Sequence, residues 1–322
     1  MPRANEPFET VDAKTLADEH PLPVLVTGAA GKLGSVGRMV TQLLLDRGFA
    51  VRALVRRDDQ RAAALRAAGA EVVVGNLTDP AEVYRAVSGT RRVFFSMSVS
   101  AEYLEATMIM ATVARELGIS ALVNMSQMTV SQMSILNMTP SPQQRQHWLS
   151  EQALKWSGLP IINIRPTVFL EGFFLPLTGP SVRNRSRIEL PFGLGKTNPV
   201  SAADVANVVA AILSDPAPHI GQTYELTGPR SQDIHGIARE YSDSLKREIK
   251  YVDIPPDEWQ AELKKAGLSE YLIKHLVTMA ELNRAGRYDR RADSVERITG
   301  RAAIGVKEFV SRHPDEFGGL RT

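Results

Sequence analysis

A chain of 322 residues with 43% hydrophobic content is long enough to bury a full α/β core, as one large domain or one domain with a smaller appendage. Lysine plus arginine (38) nearly balance aspartate plus glutamate (36), which removes the global electrostatic case for nucleic acid or an anionic membrane and points to small-molecule partners. The absence of cysteine excludes a disulfide framework, a cysteine nucleophile and thiolate metal sites.

Residues 1–20 are polar and mixed in charge, without the apolar run of a signal peptide or a membrane span, so a flexible leader on a cytoplasmic protein is expected. From Leu22 short β-branched runs alternate with helix-length amphipathic segments, the rhythm of parallel βαβ units and of a doubly wound Rossmann sheet. The first run, residues 23–27, is apolar on both faces, as a central parallel strand must be. A helix bearing Leu33, Val36, Val40 and Leu43 or Leu44 on one face follows and stops at Gly48. Further strands are expected over 50–56, 71–75, 92–97, 121–126 and 161–165, with helices over about 59–68, 79–88, 102–117 and 141–156 between them. Asp79-Pro80-Ala81-Glu82 reads as a capping box, and Ser141-Pro142-Gln143-Gln144 repeats its logic.

After Pro166 the regularity loosens. Residues 169–199, rich in Phe, Pro and Gly, are expected to be a long irregular stretch with one short strand at 187–190, a kind of segment that is usually functional. Ser201-Ala202-Ala203-Asp204 opens another helix, residues 223–226 give a seventh strand, and the remainder reads as helices around a strand at 249–254. The expected division is a Rossmann domain over 21–170 and a smaller C-terminal α+β substrate region over 171–322, with 200–228 returning to the Rossmann sheet.

Gly28, Gly31 and Gly34 sit between a buried strand and a helix, the context in which a glycine pattern deserves weight. The first permits a tight turn, the second a close approach of backbone to a pyrophosphate, the third close helix–sheet packing, and the helix N–H groups then face the phosphates. Ala30, Lys32 and Leu33 belong to the same loop, and its G-x-x-G-x-x-G spacing is of the short-chain dehydrogenase type. Where an acidic residue would hold a ribose 2′-hydroxyl, strand two ends in Arg56-Arg57, so Arg56 is expected to pair with a 2′-phosphate and the cofactor is expected to be NADP(H). The competing reading is a pair of solvated surface charges. Asn76 and Leu77 lie where the adenine should rest, and Ser96, Met97 and Pro166 join the cofactor-binding set from the ends of strands four and six.

The chain resembles the NmrA-like, atypical short-chain dehydrogenase family. The likeness is carried by Val24-Leu25-Val26-Thr27-Gly28, Val51-Arg52-Ala53-Leu54-Val55-Arg56, Ser157-Gly158-Leu159-Pro160 and Ile164-Arg165-Pro166, then by Asp204-Val205-Ala206, Tyr224-Glu225-Leu226-Thr227-Gly228-Pro229 and Val295-Glu296-Arg297-Ile298-Thr299-Gly300. The resemblance implies a Rossmann domain with a small C-terminal substrate domain, in a family that mixes NAD(P)H-dependent reductases with redox sensors lacking catalysis. It also implies a Tyr-x-x-x-Lys pair on the helix after strand five, and here the chain departs: those positions hold Gln143 and His147. Glutamine cannot serve as the acid.

His147 followed four residues later by Glu151 is similar to the version in quinone- and dye-reducing members, which implies direct hydride transfer to an electron-poor acceptor. His147 is the candidate for binding the nicotinamide ribose or donating a proton; the alternative is a histidine filling the helix face. Ser126, ending strand five, is the candidate hydrogen-bonding partner of a substrate oxygen, or a turn former. Seven of ten methionines fall between Met97 and Met138. With Met128 just past strand five and Phe169 and Phe173 just past strand six, an apolar cleft for flat aromatic or conjugated substrates is expected. No metal constellation is present in the sequence. Two functions follow: an NADPH-dependent reductase of quinone, azo or other conjugated acceptors, or a non-catalytic NADP(H) sensor regulating a protein partner, with a homodimer also open.

Overall fold

The computed structural model describes residues 22–31 and 35–318. The leader at 1–20 and the loop residues Lys32, Leu33 and Gly34 lie outside the described residues. Among the described residues nine short runs form strands: β1 (Val24–Thr27), β2 (Val51–Val55), β3 (Glu71–Val74), β4 (Arg92–Phe95), β5 (Ala121–Met125), β6 (Ile161–Pro166), β7 (Arg187–Leu190), β8 (Thr223–Leu226) and β9 (Lys250–Asp253). Seven of them make one sheet in the order β3-β2-β1-β4-β5-β6-β8. Every pairing in it is parallel. β1 and β5 are buried along their whole length, which is why they read as unbroken apolar runs. Chain order reverses between β1 and β4, the switch point at which an open α/β sheet offers a crevice beyond its carboxyl edge.

The helices are α1 (Val36–Asp46), α2 (Gln60–Ala67), α3 (Pro80–Val87), α4 (Tyr103–Glu116), α5 (Pro142–Trp156), α6 (Leu175–Arg185), α7 (Ala202–Ser214), α8 (Ile234–Leu245), α9 (Pro256–Lys265), α10 (Glu270–Arg284), α11 (Ser294–Thr299), α12 (Val306–Arg312) and α13 (Pro314–Phe317). Asp79 caps α3 by accepting from the amides of Ala81 and Glu82, and Ser141 caps α5 by accepting from Gln144. The reciprocal half of the expected box at α3 is redirected. Glu82 accepts the amide N–H of Asn76 at 2.7 Å, and Asp79 N–H bonds the Asn76 carbonyl instead. The carboxylate thereby ties the end of β3 to the start of α3.

Two apolar layers cover the main sheet. One holds α1, α2 and α7, the other α3, α4 and, through Leu154, α5. A third core gathers the π-helical turn Leu170–Phe174, α6, α8, α9, α10 and α12 beside the two-stranded parallel sheet β7-β9. α7 and β8 pack on and pair with the main sheet, and α11 also reaches that layer through Val295, a second return absent from the sequence reading. The expectation of irregular backbone over 169–199 is corrected in its first half, where the π turn runs straight into α6. Pro176 falls in the first turn, where its missing N–H costs nothing, and Pro180 is tolerated within the helix because Phe173, Phe174 and Val182 bury into the third core. Among the described residues no helix is long and apolar enough to cross a membrane.

Candidate active site

The glycine loop leaves β1 at the switch point. Thr27 Oγ1 accepts the Ser96 N–H at 2.8 Å and donates to the Ser96 carbonyl at 2.8 Å, so the ends of β1 and β4 are stitched side by side. Gly28 has a φ of 68°, and a Cβ there would stand 2.9 Å from the Ser96 carbonyl oxygen, so only glycine fits. Gly31 donates its amide to the Gly28 carbonyl at 3.0 Å, closing the turn. Among the described residues the close helix–strand contact belongs to Gly37, whose Cβ would meet the Gly28 backbone at 2.7 Å. Sequence reasoning stopped at Gly34; the signal was the continuation of the three-residue glycine spacing to position 37. The carbonyl of Ala30 is held at 2.7 Å by Arg61, itself paired with the α2 cap Asp59, another link that no local motif announced.

Along the same carboxyl edge, Arg56 and Arg57 directly follow β2, exposed and without a side-chain partner among the described residues. The neighbouring acids are engaged elsewhere, Asp58 with Arg66 and Asp59 with Arg61, which lower both carboxyls below the usual range. Two guanidinium groups unpaired among the described residues therefore follow β2 on the edge where the loop leaves β1. Farther out, Asn76 is half-buried with its Oδ1 accepting from Thr78, and Leu77 packs on the second apolar layer. Arg56, Ala30, Asn76 and Leu77 are not part of the cleft described next.

That cleft opens over the ends of β1, β4, β5 and β6. Gly28, Gly31, Ser96, Met97, Ser126, Met128, Pro166, Phe169 and Phe173, drawn from four separate stretches of sequence, all line it. Its opposite wall comes from α10 through Leu272, His275, Leu276 and Met279, and from Tyr288, none of which the sequence reading singled out. No lysine, arginine, aspartate or glutamate is among the described lining residues.

Gln143 and His147 meet as neighbours one turn apart on α5. Gln143 Oε1 accepts from the Ser100 amide at 3.1 Å and from the Tyr271 hydroxyl at 3.0 Å, which leaves its NH2 to face His147 Nε2 at 3.0 Å. His147 is therefore an acceptor at Nε2 and carries its proton at Nδ1, a buried atom without a partner among the described residues. Its ring lies against Tyr103, with centroids 4.1 Å apart. Burial, and then the nearby His275, push its pKa down to about 3, so it is neutral across the physiological range. Ser126 Oγ donates to Glu151 at 2.5 Å, and Glu151 is also held by Arg165, through Nε at 2.9 Å and a second, shorter contact. The serine hydrogen is thus committed, and what Ser126 can offer the cleft is an acceptor lone pair. The adjoining pair of Glu151 and Arg165 is electrically balanced behind it.

A sheet that reverses at β1 and β4 and turns a glycine loop into the gap is built to hold a dinucleotide, and the class it defines is the NAD(P)H-dependent oxidoreductases of Rossmann type. The chain belongs to the NAD(P)H-binding family, whose pattern covers residues 28–216. It is 27% identical over 297 residues to an NAD(P)H azoreductase of Xenophilus azovorans, spanning 92% of this chain and 99% of that protein. An NADPH-dependent quinone oxidoreductase from Escherichia coli, solved in complex with NADPH, has a similar structure, with a TM-score of 0.79 at 22% identity over 90% of this chain and 99% of that one. NmrA, a negative transcriptional regulator solved with NADP, gives a TM-score of 0.75 at 15% identity over 91% and 95%. The NmrA-like resemblance read from the motifs is matched in the fold.

Proposed function

We propose that this protein is an NADPH-dependent reductase that passes hydride directly to a flat, conjugated small molecule such as a quinone or an azo compound. The observation that carries the reading is the cleft itself: methionine and phenylalanine walls over the strand ends, no charged side chain among the described lining residues, and a glutamine–histidine pair where an ordinary carbonyl reductase would keep its tyrosine and lysine. The chain fits the cofactor by its own geometry. Gly28, at a positive φ that side chains rarely adopt, and Gly37, packed against the Gly28 backbone, let the loop turn tightly between β1 and α1, and Arg56 with Arg57, unpaired among the described residues, supply positive charge for a 2′-phosphate beside the loop. The azoreductase and quinone reductase likenesses point to the same acceptor class.

When bound, NADPH supplies a hydride. Overall, two electrons and one hydrogen nucleus pass to a quinone, and the hydroquinone monoanion so formed takes its second proton from water, leaving NADP+. The protein's part is positional. Ser126 offers an acceptor lone pair and His147 a neutral ring among the lining residues, and the apolar walls hold the acceptor ring flat. A strong general acid is unnecessary when the product anion is stabilised by conjugation. Oxidation of NADPH measured against a panel of quinones and azo dyes tests the reading. Turnover of at least one class is expected; tight NADPH binding with inertness toward every acceptor overturns it and favours the sensor alternative.

A further inference from the structure

His275 stands on α10, directly across the cleft from the strand ends, and is 7% exposed. Its Nδ1 lies 2.9 Å from Ser141 Oγ, the capping residue of α5. Ser141 is fully buried, and its oxygen already accepts the Gln144 amide at 3.2 Å. If His275 donated to it as well, the serine's own hydroxyl hydrogen would be buried without an acceptor, since the described residues offer it no other. The satisfied arrangement has Ser141 donating to Nδ1, which places the imidazole hydrogen on Nε2. That N–H has no partner among the described residues, on a residue that lines the cleft.

We propose that His275 is the acceptor-binding donor of this cleft, its Nε2–H hydrogen-bonding a ring carbonyl, and that the uncharged walls restrict the acceptor to neutral, quinone-type rings in preference to anionic, sulfonated ones. The inference rests on the reductase reading above and deepens it. A donor fixed by its own second hydrogen bond is preorganised, and it faces the oxygen on which negative charge develops as hydride arrives. The imidazole gives up no proton in the step. Burial favours the neutral ring, so the donor is an uncharged N–H that does not attract anions. A sulfonate would have to enter walls that offer it no counter-charge among the described residues.

The test uses the full chain loaded with NADPH, with menadione as the neutral probe and a naphthoquinone sulfonate as the anionic one. Wild type is expected to favour menadione by roughly tenfold or more in kcat/KM. His275→Leu is expected to lose roughly tenfold on menadione with unchanged NADPH affinity, and His275→Gln, which keeps an N–H, to recover part of the loss. Nitrogen NMR of labelled histidine in the wild type gives an independent readout, with a protonated Nε2 whose signal moves when menadione is added. A protonated Nδ1, a His275→Leu protein as efficient as wild type, or equal use of the two probes overturns the proposal while leaving the reductase reading intact. A wild type inert toward every quinone removes the reading beneath it, and the proposal with it.

Discussion

Arg56 makes cofactor preference a single-residue question. Its guanidinium is exposed at the end of β2 and unpaired among the described residues, while Asp58 and Asp59 are each occupied by other arginines. A charge-assisted contact to a 2′-phosphate contributes about 1.5–3 kcal/mol. Arg56→Asp should therefore weaken NADPH binding roughly tenfold or more while sparing NADH, as read by fluorescence titration of the two cofactors. Equal loss for both would show that the substitution disturbs the loop and does not touch the phosphate. The glycine turn and this arginine were legible because they act through neighbours in sequence. Gly37 was half-legible, since its spacing continued the series. Its role is a close approach to the Gly28 backbone in three dimensions, which no local pattern encodes. His275 and Tyr288 were invisible for the same reason, more than 140 residues beyond Ser126 yet lining the same cleft.

The alternation of β-branched runs with capped amphipathic segments gave the strands and helices of the main sheet in order, because parallel strands buried on both faces cannot read as anything polar. The stretch after Phe169 was misjudged because proline and glycine content outweighed an apolar face that only the third core explains. α10 matters most for the site. It is fastened to α5 by Tyr271, whose hydroxyl donates to Gln143 Oε1 at 3.0 Å and accepts from Gln146 at 2.8 Å. Removing that hydroxyl in Tyr271→Phe should cost about 1 kcal/mol of stability and raise the KM for the acceptor severalfold, with NADPH affinity unchanged. Denaturant unfolding and initial-rate kinetics read the two effects separately. If NADPH affinity falls in parallel with acceptor affinity, α10 is not an independent wall of the substrate cleft.

The molecule as a whole should be acid-sensitive, for a reason that lies in the cleft. Burial holds His147 at about 3 and His275 at about 4, against 6.5 for a free histidine. Below about pH 6.5 the unfolded chain binds protons that the folded one refuses, so stability falls as pH drops toward 4. Asp204 acts in the opposite sense. Its pKa is raised by burial from 3.8 to about 6, so the folded state holds a proton that the unfolded state lacks in that window and gains stability as pH falls. Two histidines against one carboxylate leave a net loss on the order of 1–3 kcal/mol between about pH 7 and pH 5. Urea unfolding at the two pH values should show the lower midpoint in acid, and His275→Gln should shrink the difference. A midpoint that is flat or rises on acidification would contradict this.

The central claim is that the cleft passes hydride and does not merely sense its cofactor. Stopped-flow mixing of the NADPH-loaded protein with a neutral quinone, following the absorbance of reduced nicotinamide in a single turnover, tests it most directly. The structure predicts a first-order loss of that absorbance whose rate saturates with quinone concentration. Bound NADPH that stays reduced at every quinone concentration would contradict it.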